Sequence, residues 1–136
     1  MSREASGRAF AGLSMGSLLT YEMYVNKTDY FSYYGMFSGV LGPTAAASAY
    51  VNKSMVAANP RLKSVGVFSG VGLYDVAFPD SRNLHEALQG LGVPYVVRIV
   101  PWGFHAFNTW ADCLWTFGRM VLWKELPFQA NPVTST

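Results

Sequence analysis

Short apolar runs alternate with longer segments of helical pattern along the whole chain, and this alternation constrains the fold more than any other feature. The strand-like runs are apolar almost throughout, as expected for strands that are covered on both faces of a sheet. Strict alternation of strands and helices predicts an α/β fold, with a parallel sheet and helices on both of its faces. The predicted strands cover residues 8–13, 33–39, 64–69 and 94–100, and the predicted helices cover residues 15–26, 44–58, 79–91 and 106–124.

The composition fits one well-buried domain and excludes several classes of protein. A length of 136 residues suits a single domain. The charged fraction of 13% is about half the typical value of roughly 25%, which excludes a disordered chain. The ten basic residues exceed the eight acidic ones by only two and form no cluster, so no nucleic-acid partner is predicted.

The cysteine, histidine and hydropathy patterns exclude further kinds of site. The single cysteine, Cys113, rules out a disulfide within the chain, and one cysteine with two histidines argues against a metal site. No apolar run reaches about 18 residues, so neither a membrane span nor a membrane partner is predicted. Residues 1–10 lack the apolar core of a secretory signal, and the compartment is left open.

Residues 12–16 spell Gly-Leu-Ser-Met-Gly, the G-x-S-x-G pattern of a nucleophile elbow. In such an elbow the serine occupies a sharp turn between a strand and a helix, and its hydroxyl projects beyond the end of the strand. A predicted strand precedes the pattern and a predicted helix follows it, so the context is the required one. The alternative is an ordinary glycine-rich turn in which Ser14 caps the helix.

A serine nucleophile needs a base, and the base needs an acid that orients it. When the serine lies in an elbow of this kind, the three residues follow in the order serine, acid, histidine. Asp75 comes after the strand at 64–69, and His105 comes after the strand at 94–100. The carboxyl ends of parallel strands lie at one edge of the sheet, where α/β proteins place their sites. The sequence therefore predicts Ser14 as nucleophile, Asp75 as acid and His105 as base.

Other residues compete for the acid and base roles. Asp80 follows Pro79 at the start of a helix, a position typical of an acid that stabilises the first turn, so Asp75 is favoured. His85 lies inside the same helix and is predicted to be a surface residue without a catalytic role. For His105 the alternative is a structural histidine in a loop.

These residues lie in stretches that resemble a known family. The chain resembles the esterase D-like and feruloyl esterase-like branch of the α/β-hydrolases, and feruloyl esterase-like members resemble it most. The resemblance extends over about residues 3–125 and is most specific at the elbow and at the histidine loop. The matching stretches are residues 8–16, 31–39, 69–75, 83–88 and 103–110.

The resemblance implies the C-terminal half of an α/β-hydrolase domain over residues 1–126, followed by a polar tail at 127–136. It implies a carboxylic-ester hydrolase that works through an acyl-serine, without a metal or organic cofactor, on small-molecule or polysaccharide-linked esters. The backbone N–H of Met15 would be one oxyanion donor. Two mild departures from the family pattern are Ser17, where glycine is common, and Ala106, where an acid is frequent.

The severe departure is that family members have several strands and helices before the elbow. We expect the missing half to hold the second oxyanion donor and the strand that pairs beside residues 8–13, so the short chain would be impaired. Two alternatives stay open. One is a non-catalytic remnant or interaction module, which could self-associate through the free strand at 8–13. The other is an acyltransferase that uses the same three residues.

Four aromatic residues flank His105 and could line a substrate site. Trp102 and Phe104 lie in the histidine loop itself and are the predicted substrate-binding residues. Phe107 and Trp110 lie in the following helix, where packing in the core is the favoured interpretation.

Overall fold

A parallel sheet of five strands organises the chain in the computed structural model, which describes residues 4–42, 44–130 and 134–135. All four strand pairs are parallel and the strands follow one another in chain order across the sheet. Each connection is therefore a crossover rather than a hairpin. The strands are β1 (Ala9–Leu13), β2 (Tyr33–Phe37), β3 (Gly66–Gly72), β4 (Val96–Val100) and β5 (Thr134–Ser135).

Helices pack on both faces of the sheet, as the alternation predicts. The α-helices are α1 (Met15–Asn26), α2 (Lys53–Ala58), α3 (Phe78–Leu91) and α4 (Phe107–Met120), and short 3₁₀ turns cover Ala5–Gly7, Ala47–Ala49 and Pro60–Lys63. The first three helices pack around a core that includes Tyr24, Tyr34 and Leu84. On the other face, α4 packs through Cys113 and Phe117.

Three of the predicted strands, at 8–13, 33–39 and 94–100, are confirmed with shorter bounds. The strand predicted at 64–69 instead spans Gly66–Gly72, because its residues from Phe68 onward pair with β4. The helix predicted at 106–124 already ends at Met120.

The single helix predicted over residues 44–58 is wrong, because only Lys53–Ala58 is α-helical. Tyr50 and Val51 are 4% and 3% exposed, and burying them in the core requires an extended backbone at this point. The side chain of Asn52 then accepts a hydrogen bond from the Met55 N–H and starts a separate short helix. Tertiary packing has overridden the helix propensity of an alanine-rich segment.

Some residues of the segment predicted as a polar tail, 127–136, contact the rest of the chain. Phe128 is 2% exposed within the core under α4, and its N–H donates to the Ser64 carbonyl at 2.7 Å. Thr134 and Ser135 pair with Val97 and Arg98 of β4, whereas residues 131–133 and 136 lie outside the described residues. The domain boundary at residue 126 stays a prediction.

β1 occupies one edge of the sheet formed by the described residues, and each of its residues is partly or well exposed. Self-association through this strand stays a prediction. Within the described ranges, no helix combines the length and the hydrophobicity needed to cross a membrane.

His85 is not the surface residue that the sequence predicts. It lies next to Leu84 on the sheet-facing side of α3, and its Nε2 lies 2.8 Å from the hydroxyl of Ser69 on β3. Burial lowers the pKa of His85 to about 4, because desolvation disfavours the charged imidazolium. At neutral pH the ring is therefore uncharged, and it contacts the hydroxyl of a residue in the sheet.

We predict that His85 makes the stability of the fold depend on pH. Between pH 6.5 and about 4 the unfolded chain takes up a proton that the native state does not, so the free energy of unfolding falls as the pH falls. At roughly 1.4 kcal/mol per pKa unit, the loss is on the order of 3 kcal/mol. Urea unfolding of the wild type and of His85→Gln at pH 7 and pH 4 measures it. A stability difference between the two proteins that is the same at both pH values would contradict the prediction.

Candidate active site

Ser14 stands at a sharp turn between β1 and α1. Its φ of 55° and ψ of −118° are unfavourable for a residue with a side chain. The Ser14 N–H donates to the Phe37 carbonyl at 2.9 Å, which continues the pairing of β1 with β2 for one more residue. The strand–turn–helix context that the sequence predicts for Ser14 is present in the structure.

The tightness of the turn depends on Gly12. A Cβ at this position would overlap the carbonyl group of Gly16, because the two backbones touch. The hydroxyl of Ser17, the position where the sequence departs from the family glycine, donates to the Gly39 carbonyl and ties α1 to the loop after β2. Main-chain contact and one side-chain hydrogen bond thus hold the turn in place.

The structure brings together the three residues that the sequence predicts as a catalytic set. Ser14 Oγ lies 2.9 Å from His105 Nε2, and His105 Nδ1 lies 2.8 Å from Asp75 Oδ1. The side chain of His105 is 32% exposed, whereas that of Asp75 is fully buried. The imidazole is therefore accessible from solvent while the carboxylate is not, and Ser14 is a partly exposed residue.

Two loops that follow neighbouring strands place Asp75 beside His105. A Cβ at Gly72 would overlap the backbone of Gly103, so the loop after β4 lies directly on the end of β3. The Tyr74 N–H donates to the Gly103 carbonyl at 2.9 Å and connects the two loops. The close approach of two glycines sets the distance between the acid and the histidine.

The carboxylate of Asp75 receives three hydrogen bonds. Oδ1 accepts from the Ala77 N–H and from His105 Nδ1, both at 2.8 Å. Oδ2 accepts from the Ser38 hydroxyl at 2.6 Å. Ser38 in turn accepts from Trp110 Nε1 at 2.8 Å. Sequence reasoning missed Ser38, although its place at the carboxyl end of a strand, next to Gly39, was the available signal.

Asp80, the competing acid, faces a different part of the molecule. Its carboxylate accepts hydrogen bonds from three consecutive N–H groups, those of residues 40–42, and from the Tyr50 hydroxyl. It lies in the first turn of α3, as predicted, but its side chain holds the loop after β2. The carboxylate that contacts His105 belongs to Asp75.

A pocket of about 570 Å³ opens beside Ser14 and His105. Its walls are mostly apolar and come from the start of α1, the loop after β2 and the start of α3. The apolar side chains are those of Met15, Leu18, Val40, Leu41, Val76, Ala77 and Pro79.

Trp102 and Phe104, the predicted substrate-binding residues, lie outside these walls. Phe104 stacks on Tyr74 with ring centroids 5.5 Å apart, and Trp102 is 48% exposed. Their contact with substrate stays a prediction. Among the described residues, no group of three or more His, Cys, Asp or Glu side chains could hold a metal ion.

We predict opposite effects for alanine at the two glycines of the turn. Gly12→Ala forces the backbone apart, and overpacking of this kind costs about 1–3 kcal/mol. Gly16→Ala is the matched control, since its Cβ would meet nothing within 4 Å and alanine stabilises a helix by about 0.5–1 kcal/mol relative to glycine. Urea unfolding of both variants checks the prediction, and equal effects would argue against the close contact.

No family model matches the chain. Its fold is similar to that of a ferulic acid esterase from the anaerobic fungus Anaeromyces mucronatus, with a TM-score of 0.69 and 15% identity over 90% of this chain and 46% of that one. A feruloyl esterase module from Clostridium thermocellum, complexed with sinapinate, has a TM-score of 0.65 and 21% identity over 83% of this chain and 44% of that one. A substrate-bound, fluorophosphonate-binding serine hydrolase from Staphylococcus aureus has a TM-score of 0.69 and 18% identity over 86% of this chain and 56% of that one.

The chain thus spans about half the length of the solved structures that it matches. At these identities the likeness concerns the fold, and it confirms at that level the resemblance that the sequence predicts. The described residues form part of an α/β-hydrolase fold, the fold of feruloyl esterases and related serine hydrolases.

Proposed function

We propose that this chain carries the catalytic residues of a serine carboxylic-ester hydrolase of the feruloyl or acetyl type. The observation that carries the proposal is the continuous series of contacts from Ser14 Oγ through the His105 ring to Asp75 Oδ1, at 2.9 and 2.8 Å. Serine, imidazole and carboxylate in this arrangement activate a hydroxyl for attack on a carbonyl group. The fold shared with solved esterases supports the same reaction class.

The chemistry follows from the position of each proton. Asp75 accepts the Nδ1 hydrogen of His105, which leaves the Nε2 lone pair directed at the Ser14 hydroxyl. As Ser14 attacks the ester carbon, its proton moves to Nε2, and Asp75 stabilises the imidazolium that results. The imidazolium then protonates the departing alcohol, and water, activated in the same way, releases the acyl group from Ser14.

The oxyanion that forms on attack needs hydrogen-bond donors. Met15 is the first residue of α1, where a backbone N–H has no partner within the helix and the helix dipole is positive. We propose this N–H as one donor. Loss of a single donor typically lowers kcat by about 10²- to 10³-fold, so a chain with only one would be an impaired enzyme.

The pocket beside Ser14 supports an uncharged and largely apolar acyl group. Asp80 is the charged residue with atoms in its walls, and four neutral donors already occupy its oxygens. A volume of about 570 Å³ is ample for an aromatic acid of the ferulate type. We propose small-molecule or polysaccharide-linked esters of such acids as substrates, with Trp102 and Phe104 at the outer rim.

We predict that a fluorophosphonate probe labels Ser14 and that the chain hydrolyses p-nitrophenyl acetate. Both activities should disappear in Ser14→Ala, because the probe and the ester need the same activated oxygen. Ser69→Ala is the matched control, since Ser69 also contacts a histidine, at 2.8 Å, but is only 1% exposed. Mass spectrometry locates the label. Equal labelling and turnover in the wild type and in Ser14→Ala would favour the non-catalytic alternative.

A pair of asparagine variants tests the acid. Asp75→Asn should lower kcat by a factor on the order of 10⁴, because an amide favours the wrong tautomer of His105. Asp80→Asn should mainly lower stability and raise KM, because it loosens the loop that lines the pocket. Steady-state kinetics, normalised to folded protein, separates the two. Loss of turnover in Asp80→Asn together with near-normal turnover in Asp75→Asn would reverse the assignment.

A further inference from the structure

The hydroxyl of Ser38 lies between the indole of Trp110 and the carboxylate of Asp75. Trp110 Nε1 is 2.8 Å from Ser38 Oγ, which is 2.6 Å from Asp75 Oδ2. We propose that Ser38 and Trp110 are positioning residues that hold the Asp75 carboxylate in the orientation that His105 requires. This inference rests on the proposed function, because it concerns the same catalytic set.

The chemistry of the groups fixes the direction of each hydrogen bond. An indole N–H can only donate and an ionised carboxylate can only accept. Ser38 therefore uses an oxygen lone pair toward Trp110, and its single hydrogen remains for Asp75. The series runs in one direction, from Trp110 through Ser38 to Asp75, and hydrogen bonds in such a series polarise one another.

Ser38 acts on the carboxylate oxygen that His105 does not use. Oδ1 of Asp75 accepts hydrogen bonds from His105 Nδ1 and from the Ala77 N–H, whereas Oδ2 accepts one from the Ser38 hydroxyl. The terminal torsion of an aspartate is broad, so contacts to one oxygen alone leave the carboxylate plane loosely defined. A donor on the second oxygen fixes that plane and, with it, the direction from which the carboxylate faces the imidazole.

The backbone at Ser38 supports a role for its side chain. Its φ is 67°, a left-handed conformation that glycine adopts without strain and serine does not. Ser38 is only 3% exposed, and its N–H donates to the Gly70 carbonyl at 2.8 Å. Both its backbone and its side chain are therefore fixed by hydrogen bonds. A strained serine at a place suited to glycine indicates that the hydroxyl is used there.

Trp110 is connected to both members of the acid–histidine pair, to His105 directly and to Asp75 through Ser38. Its N–H reaches Asp75 through Ser38, and its ring lies against His105 with centroids 5.1 Å apart at 86°. The indole therefore limits the movement of the imidazole as well as that of the carboxylate. The sequence favoured a core-packing role for Trp110, and the proposed positioning role is additional to it.

Two variants test the proposal, each with a matched control. Ser38→Ala should lower kcat/KM for p-nitrophenyl acetate by about 10- to 100-fold, mostly through kcat, the loss typical of one hydrogen bond to a charged group. Trp110→Phe keeps a ring but removes the N–H. In the wild type it should lower kcat/KM less than Ser38→Ala does, and when it is added to Ser38→Ala it should lower kcat/KM no further. Ser69→Ala and Trp115→Phe are the controls, because Ser69 contacts His85 instead and Trp115 is 68% exposed.

A second readout does not depend on turnover. A hydrogen held between His105 Nδ1 and Asp75 gives a low-field proton resonance, and its assignment is simple in a chain with two histidines. We expect this resonance in the wild type and in both controls, and expect it to broaden or disappear in Ser38→Ala and Trp110→Phe.

The two readouts separate the inference from the proposed function. A wild type that keeps the resonance but neither labels nor hydrolyses ester refutes the esterase, and loss of the resonance in Ser38→Ala still supports the positioning role. An unchanged resonance in Ser38→Ala overturns that role, whatever the kinetics. If Ser38→Ala does not fold, Trp110→Phe decides in the same way, because it leaves the strained residue untouched.

Discussion

The parallel register of the sheet is the constraint on which the rest of the structure depends. Leu13 pairs with Phe37, Phe37 with Gly70, and Gly72 with Val100, so four neighbouring strands end near one line. Each strand is followed by one part of the site: the turn at Ser14, then Ser38, then the acid loop and the histidine loop. Because side chains alternate between the faces of a sheet, a slip of one residue would turn each strand's side chains to the opposite face. The site is therefore a property of the sheet edge rather than of any one loop.

Close contacts between backbones convert this approximate alignment into bonding distances. Gly12 touches Gly16 at the turn before α1, and Gly72 touches Gly103 where the two later loops meet. A side chain at Gly12 or Gly72 would separate elements whose polar groups now lie within 3 Å of one another. Stability and site geometry consequently depend on the same contacts, so a substitution there acts on both together.

The sequence was sufficient for the features that follow from order and pattern, and insufficient for those that depend on distant partners. Strand ends and chain order placed Ser14, Asp75 and His105 at one edge, where the structure has them. Ser38 was predicted to lie inside a strand. Its place beside Gly39 hinted at a strand end, but its left-handed backbone and its partner 37 residues away cannot be inferred from neighbouring residues. The prediction of one helix over 44–58 was wrong for a related reason, since the burial of Tyr50 outweighs the local helix propensity.

Two serine–histidine contacts in this chain show why distance alone does not identify a catalytic pair. Ser69 lies 2.8 Å from the ring of His85, slightly closer than Ser14 lies to His105. His85 is only partly exposed, and desolvation lowers its pKa, so its ring is a weak base. His105 has a carboxylate at Nδ1 and an exposed edge beside a pocket. The same two side chains thus give a structural contact in one place and the proposed nucleophile and base in the other. The difference lies in the third residue and in access to solvent.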